Sequence, residues 1–597
     1  MGKATMDGDV AGFPAPPKRM NPTAQLEYDE FVTREMAQWH VPGCAIAIVR
    51  DGAVVHANGY GVRDVQTGLP VSASTLFPIG SLTKSFTAAM IAVLVRRGKL
   101  DWDRPVREYL PDFQLWDENA TRRITLRDLL THQTGLPPHD MAWERSPLSR
   151  EEFYHRLRYL QPSQDLRQGY QYNNVMFMVA GYLAGRIMGR TWEELVKQIV
   201  LDPVGMPRTS FVARDIPATE NLAKPHRADS DGVPHDFAFR SDEAIAPAGA
   251  LVAPLDEMAR YVQMLLNRGR IDGREVLAPQ DVAALRTPQV VVPAGAKYSE
   301  LGPSQYGLGV LVSSYRGHTH IYHGGKCEGF SALISLLPDI HAGVVVLSNL
   351  DATRMPFVLA YRALDQLLNL HPIAWGDRFR EFQKALDRSN SAGAAGLSHP
   401  RWENTRPSHP IDAYAGEFAH PAYGSLTIRV LDPNRADSPL ALDFHEFSTC
   451  LDHFHFDIFE APADPLNRLE RTRVKFETDW NGEISRLQIP FEPLVADIVF
   501  ERVPDPRMSS AEFLSPLVGR YGTGTRALRV EFDEDGSLRL IARHRVARRL
   551  IPVRGLLFRV EGSGGYAVEF RKDADGAATC VAFYRPGGGY AAERVVG

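Results

Sequence analysis

The stretch Phe77-Pro-Ile-Gly-Ser-Leu-Thr-Lys-Ser-Phe86 decides how the rest of the chain is read. It reads as a turn ending in Gly80, then a helix with Ser81 in its first turn. Phe86, Met90, Ile91, Leu94 and Val95 fall on one helical face, and Arg96, Arg97 and Gly98 suit its C-terminal end. Ser81 and Lys84 stand three apart, so their side chains meet on that helix. A serine hydroxyl becomes a nucleophile when a neighbour takes its proton, and a desolvated lysine can do so. The helix amino end favours negative charge developing beside Ser81. Alone, the pattern is an ordinary exposed turn. Lys84, however, is the only one of eleven lysines with a serine three residues before it.

Strand patterns lie on both sides of this helix. Cys44–Arg50 and Ala53–Ala57 flank Asp51-Gly52, a favoured hairpin turn, after an amphipathic helix over Gln25–Trp39. From about 101 to 300 the pattern is mostly helices and loops, with helices at Leu126–His132, Trp192–Leu201 and Leu255–Arg268. The strand period returns at Gly307–Ser313, His318–Tyr322, Ser331–Leu337 and Gly343–Leu350, followed by a helix over Phe357–Leu370. Strands at both ends with helices between imply one antiparallel sheet interrupted by a helical insertion, with the Ser81 helix at the seam.

Residues 1–24 read as a flexible leader and 25–388 as this first domain, followed by a Ser-, Ala-, Gly- and Pro-rich linker over 389–408. Beyond it the chain repeats itself. Tyr414-Ala-Gly-Glu-Phe418 is echoed by Leu517-Val-Gly-Arg-Tyr521, Val474-Lys-Phe476 by Val568-Glu-Phe570, and Glu501-Arg-Val503 by Glu593-Arg-Val595. Two small antiparallel barrels, 409–505 and 506–597, are expected.

A chain of 597 residues has room for about three or four domains. Its 44% hydrophobic and 23% charged residues and net charge of −5 describe an ordinary globular protein with no basic run, which excludes nucleic acid and membrane surfaces as expected partners. The four cysteines are scattered, and the first twenty residues lack an apolar core after their charge, so reduced thiols and a cytoplasmic location are expected. His318 and His320, like His453 and His455, alternate along strands with no third ligand in view. No metal and no cofactor are expected.

Two further motifs complete a constellation. Gln171-Tyr172-Asn173-Asn174 precedes an apolar helix, Val175–Met188. Tyr172 could relay a proton and Asn174 could hold the Lys84 ammonium and a substrate amide; a packed tyrosine with a capping asparagine is the competing reading. His323-Gly324-Gly325 ends the strand His318–Tyr322, and its glycines would let substrate approach the backbone. The N–H groups of Lys326 and Ser81 would then bind an oxyanion.

Ser81-x-x-Lys84, Tyr172-x-Asn174 and His323-x-Gly325, in this order, resemble the triplet of the penicillin-recognising serine hydrolases. These include class C β-lactamases, D,D-peptidases, D-aminopeptidases and related esterases. Val41-Pro-Gly43, Leu129-Leu-Thr-His-Gln-Thr-Gly135, Pro203-Val-Gly-Met206, Gly249-Ala-Leu-Val252 and Gly329-Phe-Ser331 add to the resemblance, which covers about residues 28–372. It implies a β-lactamase-like α/β domain followed by lipocalin-like barrels. It further implies acylation of Ser81, with Lys84 and Tyr172 sharing the proton work and Asn174, His323, Gly325 and Lys326 binding substrate.

One departure matters. Where β-lactamases carry a lysine facing the substrate carboxylate, this chain has His323, as D-aminopeptidases and several esterases of this family do, and the two small β repeats favour the former. Aminopeptidase-like hydrolysis of small peptides or amides is therefore expected. A carboxylesterase, a β-lactamase or D,D-peptidase, or a non-catalytic scaffold are the alternatives, and the oligomeric state stays open. Asp533, Glu534, Asp535 and Glu328 are candidate acids for a substrate ammonium, each read more simply as a solvated surface charge.

Overall fold

Residues 43–61 form the hairpin that Asp51-Gly52 predicts. Strand β1 (Gly43–Arg50) pairs with β2 (Ala53–Gly61), and Asp51 and Gly52 adopt φ of 49° and 79°. The computed structural model describes residues 21–385 and 401–595 apart from 212–215, 218–219, 230, 238, 240–241, 294–296, 436, 465, 543–545 and 575. Most of the expected leader and the greater part of the expected linker lie outside the described residues. The chain divides into two units, 1–398 and 399–597.

In the first unit the sheet is completed by β3 (Val290–Val291), β4 (Gln305–Tyr306), β5 (Leu311–Tyr315), β6 (His318–Cys327), β7 (Phe330–Leu337) and β8 (Ala342–Ser348). The order is β2-β1-β8-β7-β6-β5-β4-β3, so the early hairpin and the last strand meet at the antiparallel pair β1–β8. β7 and β8 are buried along their whole length, which is why apolar residues dominate them and their serines, Ser331, Ser335 and Ser348, are hydrogen-bonded. Helices α1 (Pro22–Gln38), α2 (Thr83–Arg96), α3 (Asn174–Met188), α4 (Leu255–Leu266) and α5 (Met355–Leu367) supply the layers.

On one side of the sheet, Tyr28, Val32 and Met36 of α1 and Val358 and Leu364 of α5 share a cluster with Ile46, Leu333 and Val346. Each such side chain contributes ~1.5–3 kcal/mol by leaving water. On the other side α4 lies so close that a side chain at Gly343 would meet Val262 and Leu266. Tyr261 of α4 stacks on Phe86 of α2 with ring centres 3.8 Å apart. α2 is buried from Thr83 to Leu94, as the seam position requires.

Two local readings are corrected. β6 does not end at Tyr322 but continues through His323-Gly-Gly to Cys327, paired with β7 from Ile321–Leu336 to Cys327–Phe330. The apolar partner β7 supplies a full ladder, so two glycines do not break the strand. Ser81 precedes the α-helix, in a short 3-10 turn, Gly80–Leu82.

In the second unit, eight strands from Gly416–His420 to Ile498–Arg502 close a barrel through the pair Phe418–Arg502. Eight more, Gly519–Tyr521 to Gly588–Glu593, nearly close a second: Tyr521 bridges to Arg594, and the Val595 N–H donates to the Arg520 carbonyl at 2.8 Å. The sequence repeats become partners in space. Arg502 donates to the carbonyls of Ala413 and Ala415 at 2.6 and 2.7 Å, clamping the start of its barrel to its end. Arg594 does the same to Pro516 and Val518 at 3.3 and 2.8 Å.

Candidate active site

The turn bearing Ser81 is held by close backbone approach. A side chain at Gly325 would lie 2.0 Å from the Ile79 carbonyl oxygen, and one at Gly80, whose φ is +52°, would lie 2.7 Å from the Lys326 carbonyl oxygen. Only glycine at both positions lets β6 lie along the turn, which brings the Lys326 backbone beside Ser81. Leu76–Pro78 pairs with Val252–Pro254, and the Leu251 N–H donates to Thr83 Oγ1 at 3.1 Å. Thr87 Oγ1 donates to the Pro247 carbonyl at 2.7 Å, so the segment 247–254 is fixed against the start of α2.

Lys84 is fully buried. Its Nζ lies 3.0 Å from Ser81 Oγ, 2.7 Å from Asn174 Oδ1 and 2.9 Å from the Ala248 carbonyl oxygen. Tyr172 donates its hydroxyl to Ser81 Oγ at 2.7 Å. Asn173, not Asn174, caps α3 by accepting from the Met176 N–H at 3.0 Å, which leaves Asn174 at the first helical position for Lys84. Lys84 and Tyr172, from two distant motifs, therefore meet at the Ser81 hydroxyl, with Asn174 holding Lys84.

Burial holds the Lys84 pKa well below the usual lysine range, and the carboxylate of Asp140 opposes this. Burial raises the Tyr172 pKa, with Asp140 adding to the rise and the Ser81 hydrogen bond opposing it. Both desolvation effects favour neutral side chains, an amine beside a phenol. With a neutral Lys84, two N–H bonds serve Asn174 and Ala248 while the lone pair faces the Ser81 hydroxyl. That arrangement can take a proton from Ser81.

His323 is buried, and both its nitrogens are engaged, by the Tyr306 hydroxyl at 3.0 Å and the Gly324 carbonyl at 2.7 Å. The carbonyl can only accept, so Nδ1 carries the proton and Nε2 accepts from Tyr306. Burial pushes the His323 pKa down to about 3, so the ring is neutral. The Lys326 side chain is 66% exposed and reaches to 4.0 Å from Asp351.

Glu328 is not a solvated surface charge. Its side chain is 15% exposed and Arg145 Nη2 donates to its two oxygens at 2.7 and 3.0 Å, because the turn after β6 folds against the loop carrying Arg145. Asp533, Glu534 and Asp535 occupy a turn of the second unit, where Asp535 pairs with Arg549 at 3.0 Å. Asp140 and His132 are neighbours of the site that motif reading left aside; only the spacing of His132 within Leu129–Gly135 signalled it. Among the described residues no three His, Cys, Asp or Glu side chains gather as a metal site.

Residues 28–368 match the family model described as Beta-lactamase, and residues 400–502 match a domain of unknown function, DUF3471. The unguisins hydrolase ungD′ of Aspergillus campestris is 30% identical over 499 residues, covering 79% of this chain and 90% of that protein. Protein flp of Staphylococcus aureus is 22% identical over 57% of this chain and 66% of its own length. Among solved structures, the octameric penicillin-binding protein homologue from Pyrococcus abyssi superposes with a TM-score of 0.53 at 22% identity, covering 80% of this chain and all of that one. With its matched fold and a Ser-x-x-Lys site inside the matched segment, the chain belongs to the beta-lactamase family and is a serine hydrolase.

Proposed function

We propose that the protein cleaves amide bonds of small peptides through an acyl-enzyme on Ser81, in the manner of an aminopeptidase. The observation that carries this reading is the placement of Ser81 Oγ 3.0 Å from Lys84 Nζ and 2.7 Å from the Tyr172 hydroxyl. Neutral Lys84 takes the Ser81 proton as Oγ attacks the substrate carbonyl, and the Tyr172 phenol gives its proton to the leaving nitrogen. The N–H groups of Ser81 and Lys326 receive the oxyanion. Tyr172 regains a proton as Lys84 returns to the amine, and water then releases the acyl group by the same steps in reverse order of partners.

The choice of substrate rests on charge. A neutral, doubly hydrogen-bonded His323 offers no cation to a substrate carboxylate, which disfavours β-lactams and D,D-peptides. An ammonium on the acyl part gains from the Asp140 field that already acts on Lys84 and Tyr172. The relative named as a hydrolase of unguisins supports hydrolysis without fixing the bond. The test compares an amino-acid p-nitroanilide, its N-acetyl derivative and a p-nitrophenyl ester, in wild type and Ser81→Ala. The free-amine anilide should turn over about tenfold or more faster than the acetylated one, and only with Ser81 present. Turnover of the ester alone, with no gain from the amine, would replace this reading with a carboxylesterase.

A further inference from the structure

We propose that His132 is a positioning residue of the reaction, one that sets Tyr172 and Asn174 against Ser81 and Lys84. The proposal rests on the Ser81 reading above and adds a residue to it.

His132 follows the helix Leu126–Thr131 in the left-handed conformation, φ 60° and ψ 37°. That conformation turns two acceptors of one residue toward the same strand. Its carbonyl oxygen accepts from the Gln171 N–H at 2.7 Å, and its Nδ1 accepts from the Asn173 N–H at 3.1 Å. Tyr172 is thus bracketed, with one hydrogen bond to His132 on each side. Asn173 in turn donates its carboxamide to the Leu136 and Pro137 carbonyls at 3.1 and 2.5 Å, so the loop 132–137, the strand-like segment 171–173 and the start of α3 form one tied piece. From that piece project the Tyr172 hydroxyl and Asn174 Oδ1, each 2.7 Å from its partner at the nucleophile.

An Nδ1 that accepts requires the proton on Nε2. Nε2 is buried without a hydrogen-bond partner, and the ring lies among those of Tyr172 at 4.4 Å, Tyr306 at 4.5 Å and Phe177 at 5.3 Å. Burial keeps the imidazole from protonating, so Nδ1 stays an acceptor while the enzyme works. A cation here would lose the Asn173 bond. An imidazole suits the position because it supplies an acceptor and fills the space between three aromatic rings.

The test uses the full chain. His132→Asn keeps an acceptor one bond beyond Cγ-equivalent reach and tolerates the left-handed backbone. His132→Phe keeps the ring volume and removes the acceptor, and His132→Gln moves the acceptor outward. The asparagine variant should retain kcat within about fivefold, while the phenylalanine and glutamine variants lose about 100-fold in kcat with KM little changed, the effect expected of a misplacement of roughly 1 Å. In a Tyr172→Phe background, His132→Phe should cost clearly less than its roughly 100-fold loss in wild type, because the share of its effect that runs through Tyr172 is already gone and only the share through Asn174 remains. Should His132→Phe not fold, the asparagine and glutamine pair carries the same comparison. Equal kcat in those two, or the full loss repeated in the Tyr172→Phe background, would overturn the proposal. Ser81→Ala in the same assay keeps the two readings apart: activity lost there but retained in His132→Phe overturns the positioning role alone.

Discussion

Replacing Lys84 with methionine should inactivate the enzyme and change its stability in a pH-dependent way that reports the protonation state of the lysine. In the unfolded chain Lys84 titrates near 10.5, while burial holds its folded pKa well below that value. The unfolded state therefore binds more protons between the two values, and folding grows more favourable as pH rises through that window. Each unit of pH is worth ~1.4 kcal/mol. Within that window wild type should gain stability with rising pH relative to Lys84→Met, which has no group to titrate there. The variant also leaves Asn174 Oδ1 and the Ala248 carbonyl without their donor, at a cost of ~1 kcal/mol each that does not vary with pH. The assay is urea unfolding at several pH values, with pulse proteolysis and mass spectrometry reading peptides of α2 and β1, so that only the first unit is followed. The kcat of the variant should fall by about 10²–10⁴. A stability difference that stays flat with pH would mean that Lys84 remains an ammonium in the fold, and the reasoning that makes it the base would be wrong.

Three other outcomes are expected. Gly325→Ala should lower kcat about 100-fold or more, because its Cβ would lie 2.0 Å from the Ile79 carbonyl, whereas Gly324→Ala meets only the Phe357 ring at 3.6 Å and should stay near wild type. Arg502→Met and Arg594→Met should each loosen one barrel, on the order of 3 kcal/mol, visible as new proteolysis in 409–505 or 506–597 alone; cleavage of both barrels by either change would contradict the clamp. Burial raises the Asp242 pKa from 3.8 to about 7, so its ionisation costs stability that is absent below pH 4 and grows as pH rises toward 7. Asp242→Asn should therefore stabilise the first unit at pH 8, by roughly 2 kcal/mol once its partial exposure is allowed for, and leave it unchanged at pH 4. Equal melting curves at pH 8 would refute the shift.

The candidate triplet was legible because each motif is short, and Ser81 and Lys84 meet within one turn, as three-residue spacing implies. The sheet was legible because apolar residues dominate the buried β7 and β8. What escaped the sequence depends on long-range approach. The ladder through His323-Gly-Gly exists because β7 accepts it, and nothing local distinguishes that glycine pair from a bulge. Glu328 looked solvated because its partner Arg145 lies 183 residues away. His132 read as a residue of the Leu129–Gly135 segment with a structural hydrogen bond, and its hold on Tyr172 appears only once residues 171–173 come to lie across it. The barrel repeats were visible as echoes, but the clamp that links Glu-Arg-Val to the barrel start is a contact between strands far apart in the chain.

The proposed chemistry requires that Lys84 activate Ser81. The most direct measurement is the rate of covalent labelling by a fluorophosphonate, followed by mass spectrometry across the pH range in wild type, Ser81→Ala and Lys84→Met. A single adduct on Ser81 is expected, formed faster as pH rises through the depressed Lys84 pKa, absent in Ser81→Ala and slowed about 100-fold or more in Lys84→Met. An adduct on another residue, or undiminished labelling of Ser81 without Lys84, would contradict it.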